Sequence, residues 1–382
     1  MISESRRTLL LQALGAAFAA AIPPILVGSV AAEISPAVRR IYDSSLVIDA
    51  TGSPEDFMGG WPRDHSLLTA DELAQISESG VTAIDVTISD PELEKTIANI
   101  AGWHGAIANH PQNLLLVRSV SDITEARNSD RLGIILGFQH TEMMGRDLGW
   151  LNRFNDLGVR SIQLTYNKRN LMGDGCLEPA DAGLSKLGFE AVERMNAIGI
   201  AIDLSHCGKR TTRDGIEASV RPPLITHSGC RALHDNPRSK NDDTLRAMAD
   251  KGGVIGIYFM PFLGDNGSPW ATEAMVLDHI DHALKICGED HVGIGTDGPI
   301  PTVRESQEFF EMMKKVEKQR AAAGVQAPGE QGRFPYIQEL NQPRRIEQVA
   351  EGMHRRGHPD RVIEKVIGAN FYRAFSEIWI SA

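Results

Sequence analysis

Short apolar, β-branched runs alternate with amphipathic stretches from about Leu46 to Thr296, and this alternation most constrains the fold. Stretches such as Leu187–Ile198 and Thr244–Lys251 have the apolar spacing of helices. Strands that alternate with helices form a parallel sheet with right-handed crossovers. The strand candidates are Leu46–Asp49, Val81–Thr87, Leu114–Val117, Ile134–Phe138, Ser161–Thr165, Ala201–Leu204, Leu224–Thr226, Val254–Ile257 and Val292–Thr296.

These candidates are one too many for an eight-stranded barrel, so one of them must lie outside it. We predict an α/β fold, a (β/α)8 TIM barrel, with Leu114–Val117 as the extra strand because its flanks are the least regular. The stretch Ser306 to Arg333 is charged and helical, and Ile346 to Ile380 reads as terminal helices that close the barrel bottom or side. Residues 33–382 are therefore expected to form a single barrel domain with C-terminal helices.

The N-terminus has the three parts of an export signal. Ser5–Leu10 contains a twin-arginine pattern, the apolar stretch Leu11–Val27 follows, and small residues precede Ala32. Pro23 interrupts the apolar stretch and leaves it shorter than the roughly 20 residues of a membrane span. Residues 1–32 are thus predicted to direct export through the twin-arginine machinery, which gives a periplasmic or otherwise exported mature protein.

Charge and cysteine content narrow the range of partners. The formal net charge of −11 argues against nucleic acid, because a phosphate-binding protein presents a basic face. The cysteines Cys176, Cys207, Cys230 and Cys287 are scattered, with no CxxC. Cys207 and Cys230 follow neighbouring strand candidates and could form a disulfide or bind a soft metal. Burial as small hydrophobic residues is the interpretation that we favour.

Polar side chains follow three of the predicted strands. His206 and His227 each come after an apolar run, and Asp297 comes after a third. The carboxyl ends of parallel strands open into the mouth of an α/β barrel, where such enzymes do chemistry. Two imidazoles and one carboxylate could hold one Zn²⁺ or similar ion with a position open for water.

A zinc-bound water has its pKa lowered towards about 7, which supplies hydroxide at neutral pH without a second metal. Glu142, His140 or Asp203 could then accept the proton. Asp297 cannot serve both as a metal ligand and as a free general base, so these two roles remain alternatives.

An ordered set of motifs resembles those of the membrane (renal) dipeptidase family, metallopeptidase family M19. The motifs are Asp203-Leu204-Ser205-His206, Thr226-His227-Ser228, Asn236-Pro237-Arg238-Ser239 and Gly293-Ile294-Gly295-Thr296-Asp297. The similarity continues through Gly137–Arg160, Leu164–Asn167 and Val366–Phe371, so it covers nearly the whole mature chain.

The resemblance implies a barrel of the metal-dependent amidohydrolase type that carries two zinc ions and cleaves dipeptides. In that pattern His206 and His227 bind one zinc, Asp297 handles the proton of the nucleophilic water, and Arg238 holds the substrate carboxylate. A guanidinium fork suits that last role because it binds a carboxylate in two places. Tyr166, in the Leu164–Asn167 motif, is a further substrate-contact candidate, and pairing as a homodimer is implied as well.

The chain departs from the family pattern at the other zinc ligands. Thr51 and Ser53 stand where the family has the His and Asp of its Asp-Gly-His-x-Asp motif. A gap-free alignment puts Gln139 in the place of the bridging glutamate, where it becomes a substrate-contact candidate, and Glu142 in the place of the following histidine. We therefore expect at most one zinc ion, with Asp297 and Glu142 as the catalytic candidates.

The leading interpretation is an exported dipeptidase-like metallohydrolase that cleaves a dipeptide or another small amide with a free carboxylate. Retention of His206, His227, Asp297 and Arg238 favours an enzyme. The replaced ligands favour two alternatives: a non-hydrolytic tailoring enzyme for an exported peptide-like metabolite, or a catalytically degenerate ligand-binding barrel. The fold supports many chemistries and does not decide between them.

Overall fold

Apolar runs buried on both faces form a parallel sheet, as their near-continuous hydrophobicity predicts. The computed structural model describes residues 33–56, 68–264 and 271–379. The strands are β1 Ile48–Gly52, β2 Ala83–Thr87, β3 Leu114–Leu116, β4 Leu132–Phe138, β5 Val159–Gln163, β6 Ala201–Asp203, β7 Leu224–Ser228, β8 Val254–Ile257 and β9 Val292–Ile294. Helices follow most of these strands, as a barrel of βα units requires.

The helices of the described residues are α1 Pro36–Ser44, α2 Ala70–Ser79, α3 Leu93–Asn109, α4 Val120–Asn128, α5 Gly149–Asp156, α6 Lys186–Ile198, α7 Lys209–Ala218, α8 Asp242–Asp250, α9 Glu273–Cys287, α10 Gln307–Ala323, α11 Arg345–Arg355, α12 Asp360–Glu364 and α13 Asn370–Ile378. Capping residues next to the helices set where several of them begin and end. Ser185 accepts a hydrogen bond from a first-turn N–H of α6, and Ser306 does the same for α10. Gly199 ends α6 in the left-handed conformation, φ 74°.

The strand order β1-β2-β4-β5-β6-β7-β8-β9 makes a nearly closed barrel of eight strands. The loop after β9 closes it onto β1, where the N–H of Asp297 donates to the Thr51 carbonyl oxygen at 2.7 Å. Strand β3 pairs with β4 outside this path. The (β/α)8 prediction and the choice of Leu114–Val117 as the extra strand are both confirmed.

The terminal helix α13 closes the end of the barrel opposite the strands' carboxyl ends. Phe371 and Phe375 are buried in a cluster with the first residues of several strands, among them Ile48, Ala83 and Leu224. A Cβ on Gly293 would lie 2.5 Å from the Phe371 ring, so only glycine fits there. One end of the barrel is therefore filled with apolar side chains, which leaves the other end for a site.

Among the described residues no helix is long and apolar enough to span a membrane. The predicted export signal, residues 1–32, lies outside the described residues. From Glu33 onward the chain forms one compact unit.

Candidate active site

A cavity of ≈ 800 Å³ opens at the carboxyl ends of the barrel strands. Loops after β1, β2, β4, β5 and β9 line it, together with the C-terminal part of α10. The structure brings Gln139, Glu142, Tyr166 and Asp297 together on this cavity. We call these four residues the cavity layer.

Asp297 has a strained backbone at the cavity wall. Its φ is +57°, a left-handed conformation that non-glycine residues rarely adopt. Two contacts hold it there: its own N–H donates to the Thr51 carbonyl oxygen, and the preceding Thr296 is fixed by Asp49. The Asp49 carboxylate accepts from the Thr296 N–H at 2.8 Å and from its hydroxyl at 2.6 Å. Strain that neighbouring groups maintain in this way is typical of functional sites.

The electrostatics of Asp297 suit proton transfer. Burial raises the pKa of its carboxyl group to about 7, although the positive charges of Arg238 and Arg320 oppose the rise. A carboxyl group with this pKa exists in both protonation states near neutral pH. General acid–base catalysis is most efficient when the pKa of the group lies near the working pH.

Glu142 lies in a single 3₁₀ turn, Glu142–Met144, after β4. Its Oε2 is 2.6 Å from Nδ1 of His140, and both residues line the cavity. Burial raises the pKa of Glu142, but the hydrogen bond and charge of His140 outweigh burial and bring the pKa below its usual value. Glu142 is therefore ionised at neutral pH and is a weaker base than Asp297.

The remaining sequence-predicted residues lie behind Tyr166, in what we call the buried layer: His206, His227 and Arg238. The two histidine Nε2 atoms are 2.9 Å apart, and Nη2 of Arg238 lies 3.1 Å from Nε2 of His206. Arg238 is only 1% exposed and also donates to the Ser205 carbonyl oxygen at 2.5 Å. None of the three lines the cavity, and the Tyr166 ring stacks on His206 with 4.1 Å between centroids.

The hydrogen bonds of this layer fix the protonation of His206. Nδ2 of Asn167 donates to the Val325 carbonyl oxygen at 2.6 Å, so Oδ1 of Asn167 faces Nδ1 of His206, also at 2.6 Å, as an acceptor. Nδ1 of His206 therefore carries a hydrogen. Burial, followed by the charge of Arg238, holds the pKa of His206 well below its usual range, so the ring is neutral and Nε2 has a free lone pair. Arg238 donates to that lone pair.

The two-zinc centre implied by the resemblance does not fit the residues present. The Thr51 hydroxyl lies 2.5 Å from the Ala50 carbonyl oxygen and 2.9 Å from the Thr226 hydroxyl, and the Ser53 hydroxyl donates to the Glu55 carbonyl oxygen at 3.1 Å. Both hydroxyls are engaged in local structure. Within the described ranges no group of three His, Cys, Asp or Glu side chains is placed to hold a metal ion.

The histidine pair supplies two of the ligands that one divalent ion would need. A third ligand is not in place among the described side chains, and the Arg238 guanidinium contacts the same lone pair of His206. A fixed positive charge at this distance opposes a dication in the same position. The residues present therefore fit one ion at most, and only with Arg238 displaced.

Sequence reasoning missed Arg320 and Glu330. Arg320 lies near the end of α10, lines the cavity and binds both Glu330 and the Tyr166 hydroxyl. The charged pattern of α10 predicted the helix, but nothing in it indicated which charge faces the barrel. The cysteines are all free, and Cys207 and Cys230 are buried, which agrees with the favoured interpretation of these two as small hydrophobic residues.

Sequence comparison points to one family. The sequence model described as membrane dipeptidase (peptidase family M19) matches residues 79–319. A curated relative, Dipeptidase verJ from Clonostachys rogersoniana, is 33% identical over 207 residues, which is 54% of this chain and 53% of that protein. The chain spans about half the length of the curated relatives that it matches.

Comparison with solved structures agrees with the sequence comparison. An amidohydrolase from Pseudomonas aeruginosa is 30% identical with a TM-score of 0.75, covering 90% of this chain and 99% of that chain. A metallo peptidase from Rhodobacter sphaeroides, liganded with a phosphinate mimic of the dipeptide L-Ala-D-Ala, shares the fold at 20% identity, with a TM-score of 0.71 over 88% of this chain. M19 dipeptidases are metal-dependent. Since the family model covers well over half of the sequence, the chain belongs to the membrane dipeptidase family, peptidase family M19.

Proposed function

We propose that the protein is a dipeptidase-like hydrolase that cleaves a dipeptide or another small amide with a free carboxylate. The observation that carries the proposal is Asp297, a carboxyl group held in a strained backbone conformation on the wall of a cavity large enough for a dipeptide. The kinship with Dipeptidase verJ supports the same reaction class.

Asp297 moves the proton in the proposed mechanism. As carboxylate it takes a proton from a water molecule while the water oxygen forms a bond to the amide carbon. The carboxyl group then gives that proton to the amide nitrogen as the carbon–nitrogen bond breaks, which releases an amine and a carboxylic acid. A pKa of about 7 lets one group do both. Glu142 stays ionised beside His140 and is proposed to bind the substrate amino group.

We propose further that at most one divalent ion binds, and that His206 and His227 are the residues that would hold it. Such an ion would supply Lewis-acid polarisation of a carbonyl group that reached it, since the two histidines lie behind Tyr166 and do not line the cavity. Binding requires the Arg238 guanidinium to leave Nε2 of His206, because both compete for one lone pair. Arg238 would then be released to meet a substrate carboxylate, the role that the sequence motif implies.

The test is a hydrolysis assay on dipeptides and their C-terminal amides, with and without added Zn²⁺. The proposal expects cleavage of a dipeptide, a higher KM for its amide, and loss of cleavage in the matched variant Asp297→Asn. Cleavage at the wild-type rate in Asp297→Asn would overturn the mechanism. If neither the dipeptides nor their amides are cleaved, the proposal that the protein is a hydrolase is overturned.

One observation favours a second candidate, a non-hydrolytic tailoring enzyme or a ligand-binding barrel. Thr51, Ser53 and Gln139 replace metal ligands of the family, and the first two are tied into local hydrogen bonds. Calorimetric binding of an uncleaved dipeptide to the wild-type protein would favour this candidate.

Export is part of the proposal. We propose that the twin-arginine pattern carries the folded chain to the periplasm or beyond, and that the mature protein pairs as a homodimer. Replacing Arg6 and Arg7 together by lysine should retain the protein in the cytoplasm, as fractionation would show. Light scattering of the mature protein tests the dimer.

A further inference from the structure

The Tyr166 hydroxyl is fixed at the cavity by a helix outside the barrel strands. Nη1 of Arg320 donates to the Tyr166 oxygen at 3.0 Å. The ring of Tyr166 stacks on His206, with 4.1 Å between centroids and 23° between planes. One contact fixes the oxygen and the other fixes the ring, so the hydroxyl has little freedom to reorient.

Arg320 is itself held by Glu330. Nε of Arg320 donates to Oε2 of Glu330 at 3.1 Å, and Nη2 donates to both carboxylate oxygens at 3.0 and 3.1 Å. The Glu330 side chain is 14% exposed, so this fork is shielded from water on one side. Paired, forked contacts of this type define an orientation as well as an energy. The remaining Nη1 points to Tyr166.

An oxygen that accepts from Arg320 keeps its own hydrogen to donate. Tyr166, Arg320 and Asp297 all line the same cavity, and Gln139 is on it as well. A substrate amide whose nitrogen lies near Asp297 therefore has a fixed O–H group in the same cavity. Preorganised donors aimed at an oxygen that gains negative charge are among the largest contributions to catalysis.

We propose that Arg320 and Glu330 are positioning residues that hold Tyr166 as the hydrogen-bond donor to the carbonyl oxygen of the scissile amide. This inference rests on the proposed function. As water adds to the carbon, the carbonyl oxygen gains a negative charge and accepts a hydrogen bond from Tyr166, with no proton transferred between them. Asp297 takes the proton of the water and returns it to the nitrogen as the bond breaks and the carbonyl reforms.

The first experiment reads the position of the ring without substrate. The chain has five tyrosines, so the protein labelled with 3-fluorotyrosine gives few ¹⁹F resonances, and Tyr166→Phe identifies one of them. Arg320→Gln and Glu330→Gln should both shift and broaden the Tyr166 resonance at constant pH, while Arg320→Lys should shift it less. An unchanged resonance in both Gln variants would overturn the positioning role.

The second experiment reads turnover. Tyr166→Phe and Arg320→Gln should each lower kcat by about 10²-fold with little change in KM, since one donor to a developing oxyanion is worth about that much. The double variant should be no slower than Tyr166→Phe alone, and Arg320→Lys should recover part of the rate.

Other kinetic outcomes overturn the inference. Additive losses in the double variant would mean that Arg320 acts independently of Tyr166. A raised KM with unchanged kcat, seen for the dipeptide and not for its amide, would make Arg320 a carboxylate-binding residue instead. If the wild-type protein cleaves no dipeptide, the proposed function fails, and the ¹⁹F experiment still decides whether Arg320 and Glu330 position Tyr166.

Discussion

The buried layer lies behind the cavity layer at the mouth of the barrel, and the physical states of the two layers differ. Asp297 and Glu142 in the cavity layer carry ionisable groups next to open space. His206, His227 and Arg238 in the buried layer are at most 4% exposed and bond mainly to one another and to the backbone.

The different surroundings of the two layers indicate that they have different roles. Burial brings the pKa of Asp297 to about 7, where a proton can be taken or given, whereas burial and Arg238 keep both histidines neutral. A group that titrates near the working pH can contribute to the reaction rate. A buried network whose hydrogen bonds are all satisfied contributes to the stability of the fold. We therefore expect substitutions in the cavity layer to change turnover, and those in the buried layer to change the stability of the metal-free protein.

The largest effect is expected for Asp297→Asn. The variant keeps the size of the side chain but cannot accept the proton, so kcat should fall by about 10²–10⁴-fold. In the wild-type protein kcat/KM should fall as the pH drops below about 7, because only the carboxylate is a base. Steady-state kinetics from pH 5 to 9 measure both.

Asp297→Glu is the matched control, since it retains the acid but moves it by one methylene group. It should recover some activity and keep an acidic limb in the pH profile. A pH profile that is the same in wild type and Asp297→Asn would assign the proton transfer to another residue.

In the buried layer, Arg238→Met should lower the free energy of unfolding by about 2–4 kcal/mol. The substitution leaves the Ser205 carbonyl oxygen and Nε2 of His206 without their donor in a buried position. Urea unfolding followed by circular dichroism gives the value.

The same variant tests the substrate-clamp prediction. If Arg238 also holds a substrate carboxylate, the KM for a dipeptide should rise far more than the KM for its amide. Equal KM changes with the expected loss of stability would leave Arg238 with a structural role alone.

The two layers also differ in how far sequence could predict them. Alternating apolar runs predicted the barrel and the place of Leu114–Val117, because periodicity follows directly from which faces are buried. Strand-end positions predicted that His206, His227 and Asp297 would share the mouth of the barrel, but of these three only Asp297 lines the cavity. Gln139, Glu142 and Tyr166, which the family resemblance indicated, line it as well.

Sequence could not place Arg238 against His206, because the reach of a long side chain depends on packing around it. It could not identify Arg320 either. That residue comes from α10, after the last strand, and meets Tyr166 across 154 positions of the chain. Contacts of this range depend on how a loop returns to the barrel, which local pattern does not encode.

The metal content of the protein tests whether the buried layer holds an ion. Elemental analysis of the purified protein should give at most one divalent ion per chain, and His206→Ala with His227→Ala should remove it. Metal that persists in the double variant would place the ion elsewhere. Restoring Thr51→His, Ser53→Asp and Gln139→Glu together should raise the content towards two ions, and no rise would contradict the gap-free alignment.

The smallest effect concerns Asp49, which lies behind the cavity layer and bonds Thr296. Burial, opposed by the hydrogen bonds from Thr296, raises the pKa of Asp49 to about 6, against about 3.9 in an unfolded chain. The folded state thus binds this proton more tightly than the unfolded chain does. The stability that the bound proton contributes is present below pH 4 and lost as the pH rises through 6.

Asp49→Asn does not undergo that loss, so its unfolding free energy relative to wild type should increase between pH 4 and 8 by about 1–3 kcal/mol. Asp290→Asn is the matched control: because Lys365 lowers the pKa of Asp290, its difference from wild type should stay nearly flat above about pH 5 and change in the opposite direction only below about pH 4. Urea titrations at four pH values decide it: a flat difference for Asp49→Asn would mean that this carboxylate is no harder to ionise in the fold than in the unfolded chain.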